Sequence, residues 1–237
     1  MRPVGHRANG LAGAVVALGL AGCAAAPPLR FDRAAAPDVR TILVLPARFP
    51  QPTSLYAPGA MPVTSSWGDV FAAAGLGLAY GGLVAAGPTR RVAAVSQGQE
   101  RVAEETYFRA IRACLQAEGN AVLAVPVDAG RTWDAYLTTT VTAFGYYPAD
   151  PLFHVWKPLL RLQATLTRQA DQVPLMDVRI VLNTVGSYDP ARAEILPGEP
   201  SERVRVAKDD PASAQRLLDA LQSAVARAAQ RVCADLR

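Results

Sequence analysis

The chain has 237 residues, with 24 lysines and arginines against 20 aspartates and glutamates, so its formal charge is +4 at neutral pH. This near balance contains no basic block and therefore gives no footprint for nucleic acid. Only two histidines are present, His6 and His154, and no G-x-S-x-G sequence occurs. A histidine-based metal site or a serine hydrolase needs more than this. Composition thus predicts a protein that is not an enzyme and holds neither a metal nor a cofactor.

The first 22 residues have the pattern of a secretory signal peptide. Arg2 and Arg7 precede an apolar stretch from Leu11 to Leu20. This stretch is about ten residues long, well short of the roughly 20 that span a bilayer. Cys23 follows Leu20-Ala21-Gly22, and this arrangement resembles the lipobox of bacterial lipoproteins. In that family the cysteine thiol receives a diacylglyceryl group, the signal is removed and the new amino terminus is acylated.

The lipobox resemblance implies a cellular location for the protein. Lipidation of Cys23 would hold the chain at a membrane, since two or more acyl chains anchor far better than one. Ala24 stands where lipoproteins retained in the inner membrane often carry aspartate, which favours the outer membrane and a domain facing the periplasm. Residues 23–38 are rich in alanine and proline and are predicted to form a tether, leaving residues 39–237 as one domain.

The first predicted strand lies at Thr41-Ile42-Leu43-Val44-Leu45-Pro46, an apolar β-branched run that is typical of a strand buried on both faces. A proline-rich loop follows, and then an apolar insertion rich in glycine and alanine at about residues 67–90. Residues 70–86 carry no charge, and Gly77 and Gly81 have the spacing of close helix packing. Three interpretations remain open: an element that packs on the domain or self-associates, a membrane-contacting segment, or a disordered loop.

A helix is predicted from Gln99 to Glu118, where Val102, Phe108, Ile111 and Leu115 recur at helical spacing and Gly119 supplies a C-cap. A second buried strand is predicted over residues 121–127. The strand–helix–strand order favours a right-handed crossover between parallel strands. A short helix opened by Thr132 is expected to extend to about Thr140.

Residues 133–156 are rich in aromatic side chains. Four of them, Trp133, Tyr136, Tyr146 and Tyr147, are candidates for a binding surface on which a glycan or peptide could stack, because tyrosine and tryptophan dominate binding hot spots. The alternative is that these rings serve the core and anchor loops. The sequence leaves both interpretations open.

Two period-2 strands follow, at residues 160–167 and 176–183, and the polar turn between them predicts an antiparallel hairpin with one face on the core. Residues 203–207 are expected to add a short edge strand. Asp210 and Pro211 have the character of an N-cap and a first helical residue. They open a C-terminal helix whose apolar stripe runs from Leu217 to Leu236.

Two cysteines remain once Cys23 is lipidated, namely Cys114 and Cys233. A pair of cysteines in an oxidising compartment favours one disulfide. Each cysteine lies at the apolar edge of a predicted long helix, and two helices that cover the same sheet can lie side by side. We therefore predict a Cys114–Cys233 disulfide, with two buried free thiols as the alternative.

The predicted order is strand, insertion, helix, strand, short helix, hairpin and helix, which indicates an α+β fold: a small mixed sheet covered by two long helices. The lipobox, the two buried strands and the hairpin together look like a group of bacterial envelope lipoproteins. Their fold is similar to the amino-terminal domain of the Tol-system propeller protein and to the curli-secretion lipoprotein. The resemblance implies envelope proteins as partners, and self-association in some members. The alternating hairpin that a curli-type pore needs is not evident in residues 50–90.

These observations predict a membrane-anchored, non-enzymatic lipoprotein that acts through protein contacts in cell-envelope assembly, secretion or transport. The alternative is an envelope module that binds peptidoglycan or another glycan through the aromatic segment 133–156.

Overall fold

The computed structural model describes residues 28–50, 54–56, 62–63, 87–125, 130–150, 154–183, 193–207 and 210–237. In this part of the chain the strands are β1 (Thr41–Val44), β2 (Ser54–Tyr56), β3 (Pro62–Val63), β4 (Ala121–Ala124), β5 (Ala135–Pro148), β6 (Val155–Arg168), β7 (Pro174–Leu182), β8 (Glu194–Leu196) and β9 (Val204–Arg205). The helices are α1 (Gly87–Ser96), α2 (Gln99–Ala117) and α3 (Ala212–Ala234), and Pro200–Glu202 form a 3-10 turn. One mixed sheet contains all nine strands, so the predicted α+β class is confirmed.

An antiparallel meander of β5, β6 and β7 forms the centre of the sheet. Alternation of apolar and polar residues puts Leu162, Ala164 and Leu166 of β6 on the core face, where β7 adds Met176 and Val178. The predicted hairpin is thus confirmed, with β6 extended toward its amino end to Val155.

Strand β1 lies between β4 and β5 and is parallel to both. The chain then continues along β5: Arg48 forms a parallel bridge with Thr140, and β2 pairs with the later half of the same strand. Strand β4 pairs only with β1 among the described residues and forms one edge of the sheet. The predicted parallel pairing is confirmed, but the second strand is not the buried strand expected over residues 121–127: it ends at Ala124, and of its four residues only Leu123 is buried.

Helices α2 and α3 pack on each other and on one face of the sheet. Two buried tyrosine hydroxyls connect the layers: Tyr107 of α2 is 3.0 Å from Thr139 Oγ1, and Tyr146 of β5 donates to the Leu217 carbonyl oxygen at 2.8 Å. Asp210 accepts a hydrogen bond from the Ala212 backbone N–H at 3.0 Å, but α3 begins one residue later than predicted, at Ala212, with Pro211 at the N-cap.

The structure places Cys114 of α2 and Cys233 of α3 at disulfide distance and joins them, with Cα atoms 6.1 Å apart. This separation lies within the range of native disulfides. The predicted side-by-side arrangement of the two helices is therefore correct.

The short helix expected from Thr132 to about Thr140 is wrong, because Ala135–Pro148 form the strand β5. Thr138, Thr139 and Thr140 are β-branched residues, which pack well on a pleated surface. Strand β6 pairs with almost the full length of β5, and this long ladder overrides the weak local signal of a helix start.

The tether predicted over residues 23–38 is too long. Leu29 exchanges two backbone hydrogen bonds with Asp177 of β7, at 3.0 and 2.8 Å. Phe31 and Ala36 are buried in the core. The folded domain therefore includes residues 28–38. Of the predicted insertion at about 67–90, only residues 87–90 are described, and they open α1. Residues 67–86, with Gly77 and Gly81, lie outside the described residues, as does Cys23.

Candidate functional site

The four aromatic residues predicted as a binding surface do not lie together. Tyr146 is wholly buried against α3, so its place in that surface was wrong. Alternation along β5, together with a bulge at Thr142 where the pairing with β6 shifts, puts Tyr136 and Tyr147 on the face opposite Tyr146. They are eleven residues apart, which is about 35 Å at roughly 3.3 Å per residue. Trp133 precedes β5 and is half-buried. The rings therefore do not form one stacking platform.

Local contacts account for the outward-facing tyrosines. The Tyr136 hydroxyl donates to Gln172 Oε1 at 2.7 Å, which ties β5 to the β6–β7 turn. Lys157 Nζ lies 5.0 Å from the centre of the Tyr147 ring, a cation–π arrangement. Burial, aided by the charge of Arg203, lowers the pKa of Lys157.

A partly apolar groove of about 240 Å³ lies at the carboxyl ends of β1 and β4. Crevices at the carboxyl ends of parallel strands are common ligand positions in α/β sheets. The groove has apolar walls and two carboxylates, and its lining residues come from the end of β1 and the loop after it, from the first turns of α2, and from the end of β4: Val44, Pro46, Ala47, Glu104, Glu105, Phe108, Ala124 and Val125.

Neighbouring groups hold both carboxylates of the groove. The backbone N–H of Phe49 donates to Glu104 Oε1 at 3.4 Å. Glu105 Oε1 lies 3.5 Å from Arg101 Nε, one helical turn earlier, and both side chains are well exposed. Such an exposed pair is weak, so Glu105 can exchange Arg101 for a cation of a bound molecule.

Beside this groove, strand β4 directs outward backbone groups that no described residue pairs. The Ala121 N–H donates to the Arg40 carbonyl at 2.9 Å, and alternate residues of a parallel strand bond the same neighbour. Val122 and Ala124 therefore direct their N–H and C=O groups away from β1. Among the described residues no other strand pairs with β4. Val125 follows it with 52% of its surface exposed.

Sequence reasoning missed the residues that α2 contributes to the groove. It put Val102 and Phe108 on the buried stripe, whereas the stripe is Ala103, Tyr107, Ile111 and Leu115, and Val102 is 45% exposed. Val102 and Phe108 are apolar but do not fit this stripe, and that mismatch was the sequence signal for a second apolar surface on α2. Phe108, the bulkier of the two, lines the groove.

The described residues contain no group of three or more histidine, cysteine, aspartate or glutamate side chains placed to hold a metal. His154 Nδ1 lies 4.0 Å from Asp150 Oδ2 in the β5–β6 connection, and the histidine is exposed. In the ranges that the structure covers, no helix combines the length and the apolar character needed to cross a membrane.

No family model matches the chain, and no curated protein matches it either. Among solved structures it is similar to the crystal structure of a Xanthomonas campestris protein of the DUF330 family model. The two share 13% sequence identity over 82% of each chain, with a TM-score of 0.44.

Proposed function

We propose that this chain is a lipid-anchored, non-enzymatic protein of the cell envelope that works by binding another envelope protein. Cys23 would carry the lipid, and the domain would face the periplasm from the outer membrane. The binding would serve envelope assembly, secretion or transport.

The edge of β4 beside the groove, which no other described strand covers, is the observation that carries this proposal. An extended peptide can add to such an edge as a further strand, with main-chain hydrogen bonds giving affinity and pockets for alternate side chains giving specificity. The groove at the end of β4 would take an apolar side chain of that peptide against Phe108 and Val125. Glu104 and Glu105 favour a basic residue next to it.

No observation favours the glycan-binding alternative. Stacking on a sugar needs aromatic faces that converge on one site, and Tyr146 is buried while Tyr136 and Tyr147 lie at opposite ends of β5.

Photo-crosslinking in cells tests the protein contact. A photoreactive residue at Val125 should give a defined product with one partner, whereas the same residue at Ile195, on the opposite edge, should not. Both positions are exposed, at 52% and 38%. The Val125 product should disappear in an Ala124→Pro variant, which lacks an outward N–H. A product that survives Ala124→Pro would contradict strand addition, and a product of twice the chain mass would identify a second copy as the partner.

The lipid anchor has its own test. Cys23→Ser should abolish the acyl mass on the mature protein and release the domain from membranes. If Cys23→Ser still fractionates with membranes as the wild type does, another segment holds the protein there and the proposed anchor is wrong.

A further inference from the structure

Three exposed large apolar side chains lie at the β7 side of the sheet. They are Leu29, Val173 and Ile195, exposed by 44%, 45% and 38%. Val173 immediately precedes β7, and Leu29 and Ile195 both belong to segments that pair with the outer side of that strand. Isolated apolar residues on a surface need no explanation, so the case for a contact depends on what else lies beside these three.

Two of these side chains point to the same face of the sheet. Leu29 lies opposite Asp177 and Ile195 lies opposite Val181, and residues at even spacing on β7 share a face. Arg179, which is exposed, lies between them on that face. Since Met176, Val178 and Ile180 point into the core, this face is the one opposite the helices.

Pro28 is the first residue that the structure describes, and along β7 it lies between the positions of Leu29 and Ile195. The antiparallel bridge of Leu29 with Asp177 puts Pro28 beside Val178, and β8 takes the same edge from Ile180 onward. Only four residues lie between Cys23 and Pro28, and the five steps from one Cα atom to the next reach at most about 18 Å. An anchor at Cys23 therefore keeps this edge close to the lipid surface.

This start of the domain is firmly held. The Phe31 N–H donates to the Asp235 carbonyl at 3.3 Å, and Arg30 Nε lies 3.5 Å from Asp235 Oδ1, whose side chain is only 3% exposed. Because the attachment point is fixed to α3, a short tether restricts the orientation of the whole domain as well as its distance from the bilayer.

The nearby carboxylates are engaged within the domain. Gln163 Nε2 donates to Asp177 Oδ1 at 2.6 Å, and Glu194 pairs with Arg231. Asp177 keeps its negative charge but is less exposed than Arg179. Arg179 is the exposed cation on this face, and an arginine suits the phosphate groups of lipids.

We propose that the β7 edge, formed by Leu29, Arg179 and Ile195, rests on the headgroup region of the membrane to which Cys23 is anchored. This inference rests on the proposed lipid anchor. Leu29 and Ile195 would enter the boundary between headgroups and acyl chains, and Arg179 would bind lipid phosphate. The β4 edge lies five strand spacings from Leu29, about 24 Å at roughly 4.8 Å each, and is therefore well outside this contact.

Tryptophan fluorescence on vesicles tests this orientation. Ile195→Trp and Val125→Trp are each compared with the parent protein and its three tryptophans. The processed, full mature chain is incorporated into phosphatidylethanolamine–phosphatidylglycerol vesicles that contain brominated lipid. We expect additional quenching and a blue shift from position 195 and neither from position 125. Arg179→Glu in the Ile195→Trp background should reduce that quenching, because the carboxylate repels anionic headgroups.

Equal quenching at both positions, or none at 195 in protein that carries its acyl mass, would overturn the proposed orientation. Crosslinking of Ile195 to a protein in cells would do the same. If mass spectrometry finds no acyl mass on Cys23, the proposed anchor fails. The same variants coupled through the Cys23 thiol to a maleimide phospholipid then decide the orientation by the same readout.

Discussion

The two edges of the sheet differ in what they offer to a partner. At the β4 edge, a four-residue strand leaves backbone N–H and C=O groups directed outward next to a groove. At the β7 edge, β8 and the Leu29 bridge use the backbone groups of the strand. Exposed apolar side chains occur at both edges, and Ile195 of the short strand β8 also directs its backbone groups outward. The difference is that β4 lies beside a groove with two carboxylates, whereas the β7 edge carries the exposed Arg179.

This difference separates two kinds of contact. A protein segment can use a free strand edge, because it brings its own backbone donors and acceptors. A lipid surface brings no strand and interacts only with apolar and cationic side chains. The exposed Leu29, Arg179 and Ile195 suit the second contact, and the outward backbone groups of β4 beside its groove suit the first.

The largest expected effect on stability comes from removing the disulfide that links α2 and α3, the helices that cover the sheet between its two edges. Cys114 and Cys233 are 119 residues apart in sequence, and chain entropy predicts about 4 to 5 kcal/mol of stabilisation for a loop of that size, before any strain is subtracted. The Cys114→Ala/Cys233→Ala variant should lose stability of this order in urea unfolding. A reductant should destabilise the wild type and leave the variant unchanged. Two alkylatable thiols in protein exported to an oxidising compartment would show that the bridge does not form.

The next largest effect is expected from the ion pairs that Arg231 forms near the β7 edge. Arg231 donates to Asp235 Oδ1 at 3.0 Å and also pairs with Glu194, and the hydrogen bond to Glu194 is the main cause of its raised pKa. Arg231→Met leaves the buried Asp235 with only the exposed Arg30, so we expect a loss of about 3 kcal/mol.

The matched control for Arg231→Met is Arg101→Met, which removes an exposed pair with Glu105 on the β4 side. This change should cost no more than about 0.5 kcal/mol. Similar losses in the two variants, measured by urea unfolding, would mean that the network at the β7 edge does not fix the start of the domain.

Local sequence pattern was sufficient for the elements whose periodicity is uninterrupted. The first strand, α2, the β6–β7 hairpin and α3 were all predicted near their observed positions, because each carries a run of apolar residues at period 2 or 3.6. Strand β5 was missed because Thr132 was interpreted as the start of a helix, although the β-branched run Thr138–Thr140 favours a strand. Its structure is decided by pairing with β6, which local reasoning does not weigh.

The candidate sites were less predictable than the fold. Tyr146 and Tyr147 are adjacent in sequence, yet alternation buries one against α3 and turns the other to the opposite face. The groove needs the ends of β1, β4 and α2 together, and nothing local relates Val44 to Phe108 or Val125. The bridge between Leu29 and Asp177 could not be predicted either, because it joins distant parts of the sequence and an alanine- and proline-rich segment does not indicate a strand partner.

Alkaline pH should weaken both helix contacts with the sheet. Burial raises the pKa of Tyr107 and of Tyr146 above the ordinary value of 10.0. The stabilisation that this implies is complete below pH 10 and is lost as pH rises through the folded-state pKa. For each tyrosine the free energy of unfolding should fall by up to about 1.4 kcal/mol per pH unit.

Tyr107→Phe and Tyr146→Phe should each make the free energy of unfolding fall less steeply with pH above pH 10, because each variant lacks one titrating hydroxyl. The Tyr107 variant tests the contact between α2 and β5, and the Tyr146 variant tests the contact between β5 and α3. The lowered pKa of Lys157 acts in the opposite direction below pH 10.5, so urea midpoints are compared between variants across the same pH series. A slope unchanged in both variants would show that neither hydroxyl is buried in solution.

The smallest expected effect on stability decides most about the two edges. Ala124 directs its N–H away from β1, so Ala124→Pro removes no hydrogen bond of the described sheet, and an extended Leu123 is the conformation that proline requires before it. We expect a stability loss below about 1 kcal/mol. Val178 is the matched contrast, because Asp177 bonds Leu29 and its neighbour Val178 must bond β6. Val178→Pro should cost about 3 kcal/mol or more. A large loss in Ala124→Pro would mean that the β4 edge is already paired, and the proposed strand addition would then have no edge to use.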